Sequence, residues 1–215
     1  MGIQLTTGQR FSLKKQALGL NTLLCGLGWE LMSQEGWKQF FQSDFDLDIS
    51  ALCLNKEGKL EKNTDVVYYG NLTHSSGAIS HLGDNLTGEH TTLHATEKDE
   101  KEDHKINDKE QIFITLPQVP KRIQKLLIVA NIYEATPRKQ NLGQVKNAYI
   151  RLVDMEQEIE IARYCLSEDD CCKSKTGVIL AEIYRQTEKN EQWEVEVIGQ
   201  GINIGNLQEL VEQYS

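Results

Sequence analysis

Ten short segments with the hydrophobic pattern of β-strands recur along the chain and leave little room for helices. In most of them apolar residues alternate with polar ones, and turn residues separate each segment from the next. Many short strands of this kind are typical of two antiparallel sheets packed face to face. The predicted strands are residues 21–29, 44–54, 66–69, 78–82, 111–116, 125–133, 147–153, 158–164, 178–185 and 192–198.

Helical patterns occur in only two places. Pro120 opens a short turn that runs to Gln124, and proline costs little at a first helical position. Near the C-terminus apolar residues recur at i, i+3, i+4 and i+7, and Asn206 stands where a helix cap is expected. The sequence therefore predicts an all-β (mainly β) fold, a β-sandwich with few short helices, one of them C-terminal.

The whole chain, residues 1–215, is predicted to form one domain, because no boundary divides it. A highly charged stretch at about residues 90–107 is predicted to be a loop insertion. The strand at 125–133 is apolar on both faces over its centre, so we expect both of its faces to be covered. Residues 158–161 and 194–197 alternate strictly, so one face of each should stay in solvent.

The charge and the apolar content exclude several classes of protein. The formal net charge of −9 argues against nucleic-acid binding, since phosphates require a basic surface. No signal-peptide region and no run of ~20 apolar residues occurs, which predicts a cytoplasmic location without a transmembrane segment. The five cysteines are an odd number, and Cys25, Cys53 and Cys165 lie in apolar segments. We expect buried free thiols in a reducing compartment.

Three aspartates, Asp44, Asp46 and Asp48, occupy alternate positions of one predicted strand. Alternate side chains of a strand share a face, so the three carboxylates point one way while Phe45 and Leu47 point towards the core. Like charges on neighbouring positions of one face repel each other. Two interpretations follow: a cation binds there, or the strand is a solvated sheet edge whose charge deters aggregation.

The same spacing of aspartates opens an EF-hand loop. Such a loop needs glycine at its sixth position and glutamate at its twelfth. Counted from Asp44, these positions hold Ile49 and Asn55. The EF-hand interpretation is therefore excluded.

A second oxygen-rich segment runs from Gly83 to Glu89 and reads Gly-Asp-Asn-Leu-Thr-Gly-Glu. Its two glycines permit positive φ, so a tight reversal could direct the side chains of Asp84, Asn85 and Glu89 inward together. Calcium binds six to eight oxygens at roughly 2.3–2.6 Å, and this turn with the aspartate strand could supply them. The alternative is a turn stabilised by its own side-chain hydrogen bonds.

The histidines could in principle bind a softer metal than calcium. All five lie between His74 and His104, and His90 and His94 have the i, i+4 spacing of a soft-metal site if that segment is helical. Because the segment has no apolar face to hold a helix in place, a solvated loop is favoured.

Several motifs, taken in order along nearly the whole chain, resemble the TerD family of tellurium-resistance and stress proteins. They are Leu5-Thr6-Thr7-Gly8 with Phe11-Ser12-Leu13-Lys14-Lys15, Gly26-Leu27-Gly28-Trp29, Asp44-Phe45-Asp46-Leu47-Asp48, the segment from Gly83 to Glu89, Arg138-Lys139-Gln140-Asn141-Leu142-Gly143-Gln144-Val145, Ile161-Ala162-Arg163-Tyr164 and Gly199-Gln200-Gly201.

The resemblance implies a cytoplasmic β-sandwich that binds two calcium ions at adjacent acidic loops. The ligands implied by it are Asp44, Asp46, Asp48, Asp84, Asn85, Thr87, Glu89, Asp108 and Glu110. Two features depart from the family pattern: Lys109 stands where a carboxylate is usual, and the insertion separates segments that are normally close. Because the number of anionic ligands tunes calcium affinity, we expect one strong site and a second that is weaker or absent.

The function implied is that of a calcium-dependent binding or scaffold module in a stress response, with protein partners and no enzymatic activity. The chain has no Gly-x-Ser-x-Gly elbow and no phosphate-binding loop. Two alternatives stay open. One is a metal-dependent enzyme of unknown substrate, which would need an open coordination position; the other is a metal-free interaction scaffold.

Overall fold

Two β-sheets make up most of the part of the protein that the structure describes. In the computed structural model of the chain, the described residues are 3–4, 10–12, 21–31, 45–83, 108–166, 172–186 and 193–215. The strands are β1 (Ile3–Gln4), β2 (Arg10–Ser12), β3 (Thr22–Leu31), β4 (Leu47–Leu54), β5 (Val66–Val67), β6 (Ile79–His81), β7 (Glu110–Thr115), β8 (Lys125–Ile132), β9 (Val145–Asp154), β10 (Ile159–Cys165), β11 (Gly177–Arg185) and β12 (Trp193–Ile202).

The strands form two six-stranded sheets. Sheet A has the order β1-β10-β9-β3-β7-β6, and sheet B has the order β2-β12-β11-β8-β4-β5. Among these described strands, β1 pairs with β10 in parallel and the other pairs are antiparallel. The apolar side chains between the sheets form one large buried cluster that includes Leu23, Ile49, Ile112 and Ile128. The predicted β-sandwich is confirmed.

All ten predicted strands are present, with ends that differ by a few residues. The two short strands β1 and β2 carry too few residues to show a period and were not predicted. The predicted C-terminal helix is α2 (Leu207–Gln213), and Asn206 caps it by accepting a hydrogen bond from the Glu209 N–H at 3.1 Å. Pro120 opens a turn closed by the Ile123 N–H.

The remaining helical pieces are short. Helix α1 (Ala135–Arg138) follows β8, and 3-10 helices occupy Asn63–Asp65, Leu116–Gln118 and Leu142–Gln144. Within the described ranges, no helix has both the length and the apolar character needed to cross a bilayer.

Strand β8 is covered on both faces, as its sequence predicts. Leu126 and Ile128 pack between the two sheets. Leu127 and Val129 pack on the outer face of sheet B in a second cluster, which includes Leu210 of α2. The C-terminal helix therefore covers the outer face of β8.

The two alternating segments behave differently. In β12 the side chains of Val195 and Val197 are buried between half-buried glutamates, as predicted. In β10 the predicted alternation of exposed and buried side chains is wrong, because the pairing register with β9 shifts between Glu160 and Ala162. This bulge leaves Ile159 49% exposed while Ile161 and Ala162 are both buried.

The cysteines of the described residues are free thiols. Cys25, Cys53 and Cys172 are buried and Cys165 is half-buried. Burial raises the pKa of Cys25 to about 12, so this thiol stays protonated at neutral pH and is a core residue. The insertion at 90–107, Cys171, His90 and His94 lie outside the described residues, and the one-domain assignment stays a prediction.

Candidate metal centre

Strand β4 and the residue just before it, Asp46, carry the acidic residues of the site on the outer face of sheet B. The Tyr133 N–H donates to the Asp46 carbonyl at 2.8 Å, which extends the pairing with β8 to Asp46. Leu47 and Ile49 are buried between the sheets. Asp48 and Ser50 therefore lie on the opposite face, as the alternation predicts.

Asp48 is not a solvated residue. It is only 4% exposed, and β8 runs beside it along the whole of β4. The interpretation of this strand as a solvated, charge-defended sheet edge is therefore wrong for Asp48. Asp44, Asp84, Asn85, Thr87 and Glu89 lie outside the described residues, and their role as ligands stays a prediction.

The neighbouring strand adds a neutral oxygen. Asn131 of β8 is the register partner of Asp48 and is 3% exposed. Directly paired residues on one face of an antiparallel sheet have Cβ atoms about 4.5–5.5 Å apart. The amide of Asn131 is thus placed beside the carboxylate of Asp48.

Tyr69 approaches the same two carboxylates from the segment after β5. Its ring contacts the Tyr133 ring edge-on, with centroids 6.0 Å apart. Burial raises the pKa of Tyr69, and the negative charges of Asp48 and Asp46 raise that pKa further. The Tyr69 hydroxyl therefore lies within electrostatic reach of both aspartates.

The groups gathered here are all oxygens: two carboxylates, a hydroxyl, an amide and a phenol. Oxygen donors of this kind select hard cations such as calcium or magnesium rather than zinc or copper. Among the described residues no three His, Cys, Asp or Glu side chains come close enough to hold a metal. A metal at Asp48 would therefore need the neutral oxygens as well as the two acids.

Asp108, a predicted ligand, is held by Arg151 and Tyr149 on the outer face of sheet A. Arg151 donates to it through Nε at 2.9 Å and Nη2 at 2.7 Å, and the Tyr149 hydroxyl donates at 3.1 Å. The Asp108 side chain is 1% exposed. It fills the space above Gly26, where a Cβ would collide with its carboxylate.

This arrangement shifts the titration of Tyr149. Burial raises its pKa, and the charge of Asp108 and the hydrogen bond to it raise the pKa further. The phenol is therefore a permanent donor at neutral pH. Asp108 has the bonding pattern of a structural carboxylate.

Glu110, the other predicted ligand of the third acidic segment, faces the interior. Its Oε2 lies 2.8 Å from Nε2 of His81, and both side chains are almost fully buried. Nδ1 of His81 accepts a hydrogen bond from the Gly83 N–H at 2.9 Å. In a neutral ring the proton is then on Nε2, where it faces the glutamate.

Lys109 lies between these two carboxylates in sequence. Its Nζ stands 4.6 Å from the centroid of the Trp29 ring, a cation–π contact. Asp48 belongs to the outer face of sheet B and Asp108 to the outer face of sheet A. The structure therefore does not bring the third acidic segment and the Asp48 oxygens into one shell.

A second buried polar cluster was not predicted from the sequence. Arg122 donates to both carboxylate oxygens of Asp65, at 2.8 and 2.6 Å, and Nε2 of His74 lies 3.1 Å from Oδ1. Burial alone would raise the pKa of Asp65, but the hydrogen bonds from Arg122 and His74 hold it below its usual range. The Ser76 N–H donates to Nδ1 of His74 at 3.1 Å. Because these side chains hydrogen-bond to one another, the cluster stabilises the fold.

Ser50, Asn131 and Tyr69 were also missed as site residues. Two signals were available for them. Ser50 continues the alternation of Asp46 and Asp48, and Asn131 interrupts an otherwise apolar run. Tyr69 gives no local signal, because only the fold brings it to β4.

The fold and the site define a β-sandwich protein with an oxygen-rich polar centre at the start of one inner strand. Comparison with solved structures agrees on the fold. A homologue of a telluride resistance protein (TerD) from Streptomyces coelicolor A3(2) superposes with a TM-score of 0.63 at 15% identity, covering 92% of this chain and 99% of that one.

Sequence comparison then gives the family. The TerD domain profile matches residues 1–214. The chain is 36% identical over 214 residues to the tellurium resistance protein TerD of Serratia marcescens, covering 100% of this chain and 97% of that one. It is also 36% identical over 221 residues to stress response protein SCP2 of Bacillus subtilis (strain 168), covering 100% of both. The chain belongs to the TerD family of tellurium-resistance and stress-response proteins.

Proposed function

We propose that this chain is a calcium-binding module of the TerD type that acts in the cytoplasm as a scaffold for protein partners during stress. Calcium binding at β4 is the central step. It neutralises Asp46 and Asp48 and stabilises the strand ends around them. The surface formed in this way is the one that protein partners recognise.

The observation that supports this proposal most is the environment of Asp48. Asp48 is only 4% exposed, and Asp46, Ser50 and Asn131 lie on the same face of sheet B. Carboxylate, hydroxyl and amide oxygens gathered on one face of a sheet are the ligands that a hard cation such as calcium prefers.

The proposal includes one calcium ion at β4 and no second ion at the third acidic segment. Asp108 already accepts two hydrogen bonds from Arg151 and one from Tyr149. Glu110 already faces His81. A calcium ion at either carboxylate would have to displace these partners, which favours a single ion.

No catalytic activity is part of the proposal. His74 and His81 are both buried and face carboxylates, and the pKa of Cys25 is raised to about 12 by burial. These groups are poor candidates for a general base or a nucleophile.

Thermal unfolding with calcium tests the proposal. A ligand of the folded state adds RT ln(1 + [L]/Kd) to stability, about 2.7 kcal/mol at one hundred times Kd. For a chain of this length that raises Tm by about 5–10 °C. We expect this rise at millimolar calcium, relative to the same protein in EDTA.

Two variants separate binding from a general charge effect. Asp48→Asn removes the buried carboxylate and should abolish most of the calcium-dependent rise in Tm. Glu57→Gln removes one negative charge from an exposed turn and should keep the full rise. A wild-type Tm that does not change with calcium would sink the proposal, and so would an equal rise in Asp48→Asn.

A further inference from the structure

Exposed hydrophobic side chains gather in one short segment at the edge of the sandwich. Among the residues that the structure describes, four large hydrophobic side chains are exposed, namely Tyr69, Leu72, Leu82 and Ile159. The first two share the segment that crosses from β5 in sheet B to β6 in sheet A. Tyr69 lies in the turn between Tyr68 and Asn71, whose main chains hydrogen-bond to each other. The turn therefore holds an aromatic side chain out towards solvent.

Tyr69 belongs to a chain of ring contacts that reaches the turn after β8. Its ring meets the Tyr68 ring edge-on, with centroids 5.1 Å apart, and the Tyr133 ring edge-on at 6.0 Å. The Arg138 guanidinium lies over the Tyr133 ring, 5.3 Å from its centroid. Tyrosine and arginine are among the side chains that are enriched at the centre of protein–protein interfaces. We call these three tyrosines and Arg138 the tyrosine surface.

The turn that carries Arg138 is held in place before any partner binds. The Gln140 N–H donates to the Ala135 carbonyl at 2.9 Å, and the Gln140 side chain is buried. Arg138 also pairs with Glu134 at 3.6 Å while it lies over Tyr133. A side chain that is already positioned loses little conformational entropy when a partner binds. The tyrosine surface is therefore preorganised.

Calcium bound at β4 would reverse the charge around the tyrosine surface. Both aspartates of the metal centre lie within electrostatic reach of Tyr69, and charges separated by less than about 8 Å are only partly screened. The charged side chains on this side of the protein are Asp46, Asp48, Glu134, Arg138 and Lys139. Three acids against two bases give them a net charge of −1, and the two charges of calcium change it to +1. An acidic partner is then repelled without calcium and attracted with it.

We propose that the tyrosine surface is the docking site for an acidic segment of a partner protein with an aromatic anchor, and that calcium at β4 controls the docking. This assignment rests on the proposed function, because the change of charge needs the bound ion. The anchor packs against the rings of Tyr69 and Tyr133, which favour edge-to-face contacts. The acidic residues on either side of the anchor face Arg138 and Lys139.

Fluorescence polarisation with the full chain and labelled peptides tests the docking site. The probe is a peptide with one tryptophan between two runs of glutamate, and the comparison peptide has lysine in place of glutamate. We expect the acidic peptide to bind at millimolar calcium and to bind about tenfold more weakly in EDTA, where the aspartates repel it. The lysine peptide should bind more weakly in calcium than the acidic peptide does.

Two variants of the tyrosine surface locate the binding. Tyr69→Ala removes the exposed ring and Arg138→Gln removes the cation beside Tyr133, and each should weaken binding of the acidic peptide by about tenfold. Ile159→Ala and Lys146→Gln change an exposed hydrophobic residue and an exposed base elsewhere. These matched controls should bind the acidic peptide as the wild type does.

Calorimetric titration of Arg138→Gln with calcium separates this inference from the proposed function. Its calcium affinity should equal that of the wild type, although its affinity for the acidic peptide is lower. Three results would overturn the docking site while leaving calcium binding in place: no binding of the acidic peptide in calcium, equal binding in the wild type and both variants, or tighter binding of the lysine peptide. A wild type that binds no calcium would instead overturn the proposed function.

Discussion

Replacing Arg151 with methionine is expected to lower the free energy of unfolding by about 3 kcal/mol. The change leaves the Asp108 carboxylate, whose side chain is 1% exposed, without its charged partner. Breaking a buried ion pair in this way costs about 3–5 kcal/mol. We expect the lower end, because Tyr149 and Gln111 still donate to Asp108, at 3.1 and 3.3 Å. Urea unfolding measures the loss.

Two controls show whether the loss of stability in Arg151→Met comes from a buried structural ion pair. Arg163→Met breaks an ion pair with Glu160 whose two side chains are 24% and 21% exposed. Because Arg151 still lies 3.7 Å from Glu160, this change should cost less than about 1 kcal/mol. Calcium provides the second comparison. If Asp108 is structural, the loss in Arg151→Met persists at millimolar calcium. Full recovery of stability with calcium would contradict the structural role and make Asp108 a metal ligand.

Replacing Arg122 with methionine is expected to cost a similar amount at neutral pH, about 3–5 kcal/mol. Asp65 is fully buried and loses both of its hydrogen bonds from the guanidinium. His74 remains as its single side-chain donor. Urea unfolding at pH 7 measures this loss.

The pH dependence of this loss follows from the lowered pKa of Asp65. A depressed carboxyl pKa contributes stability above the unfolded-state value, near 3.8, and that stability disappears as the pH falls through the folded-state pKa. The difference between wild type and Arg122→Met should therefore be largest at neutral pH and shrink below about pH 4. A difference that stays constant from pH 7 to pH 3 would contradict the assignment of the loss to Asp65.

The strand pattern of the sequence predicted most of the fold because each buried strand repeats its pattern locally. The alternation of Asp46, Leu47 and Asp48 identified the two faces of β4 correctly. The double-sided apolar run of β8 correctly indicated a covered strand. The bulge in β10 was not predictable, because Ile159 is apolar and nothing in its own segment shows that the register shifts at Glu160.

The candidate site was predicted only in part, for a physical reason. The acidic residues are visible in the sequence, but the partners that fix their roles come from distant strands. Arg151 is 43 residues from Asp108, and its contact depends on the register of β9 beside β3. In the same way, Asn131 becomes a neighbour of Asp48 only through the pairing of β8 with β4.

The contacts of Asp108 and Glu110 argue against assigning these two residues the calcium-ligand role that the family resemblance implies. The resemblance implies ligands in three acidic segments and two ions. In this chain Lys109 of the third segment lies against Trp29, Asp108 is paired with Arg151, and Glu110 lies beside His81. We therefore propose a single ion at β4 for this member of the TerD family.

Titration calorimetry of the wild-type chain with calcium, after removal of bound metal with a chelator, tests calcium binding at β4 most directly. The proposal predicts saturable binding of one calcium ion per chain and the loss of this binding in Asp48→Asn. Binding of two ions of similar affinity would contradict the structural role of Asp108 and Glu110. No saturable calcium binding by the wild type would contradict the calcium-dependent function itself.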